Sequence, residues 1–96
     1  MNNFSVNENL ILKEIDNKSV VVDINTAKYY TFNETGNFIL KCLINGMNYE
    51  ETKDKFLKEF DVEEDVFKLG YMDFLKTLSS KEIILREEVK DDGKVK

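Results

Sequence analysis

Three short runs rich in apolar residues, at 10–15, 20–24 and 28–32, occupy the first third of the chain. The second run is dense in β-branched side chains, which favour strands. Turn-like segments at 16–18 and 25–27 separate the runs, and Asp and Asn are typical of turns because they hydrogen-bond to neighbouring backbone. The pattern predicts a three-stranded antiparallel meander.

After residue 32 the apolar positions follow a helical period. Asn33 suits the N-cap of a first helix that runs to about Asn45, and Gly46 lies where a helix is expected to stop. Asn48 followed by Glu51 is a capping-box pattern that predicts the start of a second helix. The predicted core contains members of the strands and of all three helices: Phe32, Ile39, Leu43, Phe56 and Leu78.

The capping pattern recurs where Asp61 is followed by Glu64, and it predicts a third helix through about Leu78. Residues 83–85 suit a short final strand. The resulting order predicts an α+β, winged-helix-like domain, a three-stranded antiparallel sheet followed by three helices, over residues 1–86. Residues 87–96 are mostly charged and polar, which predicts a flexible tail.

Composition narrows the possible functions. The chain has no histidine and a single cysteine, Cys42, so no serine–histidine or cysteine–histidine pair can form, and a zinc or iron site is not expected. The four glycines are scattered, so no glycine-rich phosphate loop is present. We therefore predict no catalytic residue, no metal and no cofactor. The acidic run at 63–65 suits the first turn of a helix better than a cation site.

The cellular setting follows from similar arguments. No run of 18 apolar residues could span a membrane, and the first residues lack the pattern of a secretion signal. With one cysteine, no disulfide within the chain is possible, so we expect a cytoplasmic protein. The net charge of −5 argues against nucleic acid as a partner.

The third predicted strand has three aromatic residues in four positions. Alternation along a strand directs Tyr30 and Phe32 to one face, and Tyr29 and Thr31 to the other. Pattern alone leaves two readings for Tyr29 equally open, an exposed aromatic residue or part of the wall of a groove. No proline interrupts the strand, so its edge could pair with an extended peptide.

The third predicted helix has apolar residues on more than one side. Phe67, Tyr71, Phe74 and Leu78 form the core stripe, whereas Val66, Leu69 and Met72 lie on another side. Gly70 lies mid-helix, where glycine costs about 1 kcal/mol relative to alanine, and it would permit close approach of another backbone; neutral drift is the alternative. These features predict a peptide-binding groove between strand and helix, with site residues Lys28, Tyr29, Tyr30, Thr31, Phe32, Val66, Leu69, Gly70 and Asp73.

Several segments resemble the PqqD-like family. Residues 20–36 are similar to its strand, turn, second strand and Leu-Asn-x-Thr/Ser-Gly/Ala entry into a helix. Residues 45–51 resemble its Asp-Gly-x-Thr-x-Glu-Glu turn, and the resemblance covers about residues 8–86. This chain departs from the family pattern at four places: Phe32 for leucine, Asn48 for threonine, Gly70 for an acidic residue, and Lys81-Glu82 for a glycine turn.

The resemblance implies a recognition element for ribosomally made, post-translationally modified peptides. Such a domain binds the leader segment of a precursor peptide as an added strand between the third strand and the third helix. It then delivers the precursor to a modifying enzyme, such as a radical SAM enzyme or the protease of a lasso-peptide system. The implied partners are therefore the leader peptide and that enzyme.

A winged-helix DNA-binding transcriptional regulator is the alternative function, since three helices and a small sheet suit both. A recognition helix that approaches phosphates is expected to be basic. Here the third helix carries four acidic residues and two lysines: Glu63, Glu64, Asp65 and Asp73 against Lys68 and Lys76. The charge favours peptide binding.

Overall fold

A computed structural model describes residues 4–86 of the chain, so the predicted tail at 87–96 lies outside the described residues. Its elements follow the predicted order, with one addition at the start. They are β1 (Phe4–Val6), β2 (Leu10–Ile15), β3 (Lys18–Asp23), β4 (Tyr29–Phe32), α1 (Glu34–Ile44), α2 (Tyr49–Glu59), α3 (Glu64–Ser80) and β5 (Ile84–Arg86). The α+β class, with a three-stranded antiparallel sheet before three helices, is confirmed.

The main sheet has the order β2-β3-β4, and both pairs are antiparallel. The predicted turn between β2 and β3 places Asp16 and Asn17 in left-handed conformations, with φ of 53° and 67°. These residue types tolerate that region better than most. The sheet directs alternate side chains inward, so Val21 is buried whereas Thr31 is exposed.

A second, two-stranded sheet joins the ends of the described chain, because β1 pairs antiparallel with β5. The final strand was predicted, although it begins at Ile84 rather than Ile83, but β1 was not. Glu82 precedes β5 with a φ of 60°, a conformation that favours glycine. This is the position at which the family resemblance leads one to expect a glycine turn.

The helix caps agree with prediction in two cases of three. The Asn33 side chain accepts a hydrogen bond from the Gly36 N–H at 3.0 Å, and Asn48 forms a complete capping box with Glu51. The predicted start of the third helix at Asp61 is wrong. That helix begins at Glu64, and Glu63 occupies its N-cap without a side-chain hydrogen bond.

Two adjoining clusters form the core. One joins the sheet to the helices, and the other lies among the helices; their buried members are Val21, Leu40, Leu78, Ile83 and Ile84, and Ile39, Phe56, Phe67 and Tyr71. Of the predicted core residues, Ile39, Phe56 and Leu78 are buried. Phe32 and Leu43 are half-buried and pack against these clusters. No helix between residues 4 and 86 is both long and apolar enough to cross a membrane.

Candidate functional site

Within residues 4–86, the outer edge of β4 carries unpaired backbone groups. β4 is an edge strand of the main sheet, and its inner edge pairs with β3. The Asp23 N–H donates to the Lys28 carbonyl oxygen at 2.8 Å, just before β4 begins. Because hydrogen-bonded pairs alternate along an antiparallel ladder, the backbone N–H and C=O groups of Tyr30 and Phe32 point toward β3. The N–H and C=O groups of Tyr29 and Thr31 therefore point away from the sheet.

A hydrogen bond on the other edge of β3, which pairs with β2, supports this alternation. The Ile24 N–H donates to the Asn9 carbonyl oxygen at 2.9 Å, immediately beyond the paired residues of β2 and β3. Even-numbered residues of β3 thus face β2, and odd-numbered residues face β4. Both hydrogen bonds therefore indicate that the outward N–H and C=O groups of β4 belong to Tyr29 and Thr31.

A groove of about 460 Å³ lies between this edge and α3. Its walls come from the end of β4, the first turns of α1, one residue of α2, and α3 with the segment before it. They are Thr31, Phe32, Asn33, Thr35, Gly36, Ile39, Phe56, Val62, Val66, Phe67, Gly70, Tyr71 and Phe74. Most of these side chains are apolar, so the groove suits an apolar side chain beside an exposed strand edge.

Close packing of α1 on α3 shapes the floor of the groove. The rings of Phe32 and Phe74 meet edge to face, with centroids 5.7 Å apart. A Cβ atom on Gly36 would lie only 3.3 Å from Cε1 of Phe74, which is a tight contact. Glycine at position 36 therefore allows the first turn of α1 to approach Phe74 closely.

Gly70 lies on the opposite wall and differs from Gly36. A Cβ atom at position 70 would meet no atom within 4 Å. No other element of the described chain therefore packs against Gly70. The close approach of another backbone, predicted from the sequence, is not made by the described residues.

The structure brings four of the predicted site residues into this groove, namely Thr31, Phe32, Val66 and Gly70. The others lie outside its walls. Tyr29 and Leu69 are 67% and 74% exposed, Lys28 and Asp73 are also exposed, and Tyr30 packs against the core. The assignment of all nine residues to a peptide-binding site remains a prediction.

Sequence reasoning missed several walls of the groove. Gly36 was read only as part of a helix entry, and Ile39 and Phe56 only as core. Val62 is the clearest omission, since it is the one apolar residue between Asp61 and the acidic run at 63–65. It is 40% exposed and lines the groove. An isolated apolar residue between charges is the signal that could have identified it.

Acidic residues surround the start of α3, next to the groove. Glu63, Glu64 and Asp65 are exposed. The Lys53 ammonium donates to Glu64 at 3.1 Å and forms an ion pair with Glu50 at 3.0 Å. These two carboxylates raise the pKa of Lys53 above its ordinary value. The lysine stays charged, and it neutralises only part of the acidic surface.

The single thiol lies in the interior. Cys42 is buried on α1. Burial raises the pKa of its thiol, so the neutral form is favoured near neutral pH. A thiol in this environment is a poor nucleophile.

Comparisons with known proteins found a matching family model and similar solved structures. The family model described as coenzyme PQQ synthesis protein D (PqqD) matches residues 18–84, more than half of the 96-residue chain. A search of curated proteins found no match.

Two solved structures have a similar fold. One is TbiB1 in complex with the TbiA(beta) leader peptide, with a TM-score of 0.77 and 25% identity over 91% of this chain and 98% of that chain. The other is a lasso peptide synthetase B1 complexed with the leader peptide, with a TM-score of 0.77, 18% identity, and coverage of 85% and 96%. The second likeness shows the shared fold.

Proposed function

Because the chain belongs to the PqqD family, we propose that it binds the leader segment of a ribosomally synthesised precursor peptide and presents the peptide to a modifying enzyme. The leader adds as an extended strand along β4, with α3 as the opposite wall. The sheet thereby gains a fourth strand.

The free edge of β4 beside an apolar groove is the observation that carries this proposal. Thr31 supplies an outward N–H and C=O, and the same residue lines the groove. An added strand would pair with those groups and place every second side chain toward Phe32 and Val66. Backbone pairing supplies affinity with little dependence on sequence, and the groove supplies the specificity.

The solved relatives support the same partner. TbiB1, which is 25% identical to this chain over nearly its whole length, was solved with a leader peptide. A leader peptide is therefore the partner class that we assign to this protein. The outward backbone of β4 and the apolar groove have the chemistry that such an extended segment requires.

The chain acts as a recognition element without chemistry of its own. The reaction on the precursor belongs to a separate modifying enzyme, such as a radical SAM enzyme or a lasso-peptide protease. The neutral, buried thiol of Cys42 fits this division of roles. We place the complex in the cytoplasm, where ribosomes supply the precursor.

Charge argues against the DNA-binding alternative. The N-terminal end of α3 exposes Glu63, Glu64 and Asp65, and Asp73 is exposed further along the same helix. A helix with this charge repels phosphates. Anisotropy measurements with random duplex DNA at moderate salt should accordingly show no tight binding.

Calorimetry tests the proposal. The leader peptide is taken from a short precursor gene next to the gene for this protein. We expect the wild type to bind it, and Val66→Glu to weaken binding by about 2 kcal/mol, because a charge would be buried against an apolar peptide side chain. Leu69→Glu is the matched variant on the same helix, and it tests the sequence prediction that Leu69 belongs to the site. A smaller effect is expected because Leu69 lies outside the groove walls.

Circular dichroism establishes that both variants are folded. A wild-type protein that binds no leader, or a folded Val66 variant that binds like the wild type, contradicts the proposed site. The delivery role is tested separately. Turnover of the full-length precursor by the modifying enzyme should fall when this protein is omitted, and equal turnover without it counts against delivery.

A further inference from the structure

The outer face of the main sheet carries a row of apolar side chains that crosses all three strands. Ile11 lies opposite Val22 in the pairing of β2 with β3, and Val22 lies opposite Tyr29 in the pairing of β3 with β4. Their chain neighbours Val21 and Tyr30 point the other way, into the core between sheet and helices. Ile11 and Tyr29 are 56% and 67% exposed, so no element between residues 4 and 86 covers this row.

Two further rows continue the same face. Lys13, Val20 and Thr31 lie opposite one another in the second row, and Ile15 lies opposite Lys18 in the third. Exposed apolar patches with a polar border are typical of interaction surfaces. We call this set the outer sheet face, and its members are Ile11, Lys13, Ile15, Lys18, Val20, Val22, Tyr29 and Thr31.

The charges of the three strands are divided between the two faces of the sheet. The basic residues, Lys13 and Lys18, are exposed on the outer sheet face, and within residues 4–86 neither forms an ion pair. The acidic residues alternate to the inner face, where Glu14 pairs with Lys41 at 3.1 Å and Asp23 is buried. A face that is apolar and basic, on a chain of net charge −5, suits a partner surface that is apolar and acidic.

The outer sheet face is continuous with the strand edge that we assign to the leader. The backbone groups of Tyr29 and Thr31 point out of this edge, and their side chains belong to the outer sheet face. A strand added to β4 would widen the face by one strand, and its own outward side chains would lie about 5 Å from those of Tyr29 and Thr31. A protein that covers this face would therefore also contact the bound leader.

We propose that the outer sheet face is the docking surface for the modifying enzyme, which presents to it an apolar surface bordered by carboxylates. This inference rests on the proposed function and assigns the second partner to a place on the fold. The enzyme is the occupant that the position favours, because its substrate is held at the adjoining edge. Aromatic residues are enriched at protein interfaces, so docking also gives a role to Tyr29, which lies outside the groove walls.

The matched variants Ile11→Glu and Met72→Glu test this surface. Ile11 is three strand spacings, or about 14 Å, from a strand added to β4, so it lies out of reach of the leader. Met72 has a similar exposure, 49% against 56% for Ile11, but it lies on α3 and lines no part of the groove. The probes are the leader of the neighbouring precursor, measured by calorimetry, and the purified modifying enzyme encoded beside it, measured by biolayer interferometry.

Ile11→Glu should weaken enzyme binding by about tenfold, because it places a carboxylate against an apolar and acidic surface. Its leader affinity should stay within about twofold of the wild type. Met72→Glu should change neither affinity by more than about twofold. Lys13→Glu should also weaken enzyme binding, and the affinity that remains should depend less on salt than that of the wild type.

The outcomes separate this inference from the proposed function. Enzyme binding that survives both Ile11→Glu and Lys13→Glu in folded variants, or that Met72→Glu weakens instead, overturns the docking surface and leaves leader binding intact. An enzyme that does not bind the wild type overturns it as well. A dimer, or binding to vesicles of anionic lipid, that Ile11→Glu abolishes would assign the face to a second copy or to a membrane in place of the enzyme. A wild type that binds no leader contradicts the proposed function itself.

Discussion

Val21 and Tyr30 lie opposite each other across β3 and β4, and the backbone groups of Tyr30 are directed at Val21. This relationship determines the orientation of the next residue. The N–H and C=O of Thr31 point out of the sheet, and Thr31 also lines the groove. A single residue therefore joins the sheet edge to the groove.

Thr31→Pro should remove the outward N–H donor and weaken leader binding by about tenfold, the equivalent of one lost hydrogen bond. Proline is tolerated at a sheet edge when its nitrogen faces solvent, so the variant should stay folded. Tyr30→Pro is the control. It removes an N–H that pairs within the sheet, and its circular dichroism spectrum should show loss of structure. Unchanged leader affinity in a folded Thr31 variant would show that the peptide does not pair with this edge.

Substitution of Gly70 should separate stability from binding. Because a Cβ atom there meets nothing within 4 Å, Gly70→Ala should raise the free energy of unfolding by about 1 kcal/mol through the gain in helix propensity. Gly70→Gln should also stabilise α3, but its longer side chain should fill the groove and weaken leader binding. Urea unfolding and calorimetry on both variants provide the measurements. A Gln variant with wild-type affinity would mean that the peptide does not pass over this residue.

The capping box at the start of α2 should contribute measurably to stability. Asn48 Oδ1 accepts from the Glu51 N–H at 2.9 Å, and Glu51 Oε1 accepts from the Asn48 N–H at 3.0 Å. Asn48→Ala should lower the free energy of unfolding by about 1 kcal/mol. Asp61→Ala, at the position that only the sequence pattern marks as a cap, should have little effect. Equal losses in urea unfolding would contradict the assignment of the caps.

Glu14 should make the stability depend on pH in the acidic range. The Asn37 amide donates to Glu14 at 2.8 Å, and the Lys41 ammonium lies at 3.1 Å. The hydrogen bond from Asn37, followed by the one from Lys41, lowers the pKa of Glu14 below its ordinary value of 4.5. A carboxyl with a lowered pKa in the folded state stabilises the fold above its unfolded pKa, and this stabilisation is lost as pH falls through the folded pKa.

Below pH 4.5, the free energy of unfolding should therefore fall more steeply for the wild type than for Glu14→Gln. The glutamine keeps an acceptor for Asn37 but cannot ionise. Urea unfolding at a series of pH values gives both curves. Parallel curves would mean that Glu14 does not contribute to the acid sensitivity.

The sequence predicts the main elements because local chemistry determines them. The β-branched run at 20–24, the Asp16-Asn17 turn and the Asn48 cap each act over a few residues. β1 escapes prediction because three residues are too few to show a period, and its partner strand, β5, lies at the other end of the described chain. The start of α3 is misread because Asp61 and Asn48 have the same pattern, yet Val62 turns into the groove instead of continuing a helix.

The site is only partly predictable for a related reason. Alternation identifies the exposed positions of β4, and the helical period identifies Val66 and Gly70. The depth of the groove depends on contacts between residues distant in sequence. Gly36 matters because Phe74, which lies on another helix, packs against it. Such a contact leaves no local trace in the sequence.

The pairing of β1 with β5 has a consequence for protein engineering. Phe4 lies opposite Arg86, so the two ends of the described domain are adjacent. Neither β1 nor β5 contributes a residue to the walls of the groove. A domain whose ends lie side by side can be inserted into a surface loop of a host protein through two short linkers. Spliced into a host in this way, residues 4–86 would form a portable peptide-capture module with its groove unobstructed.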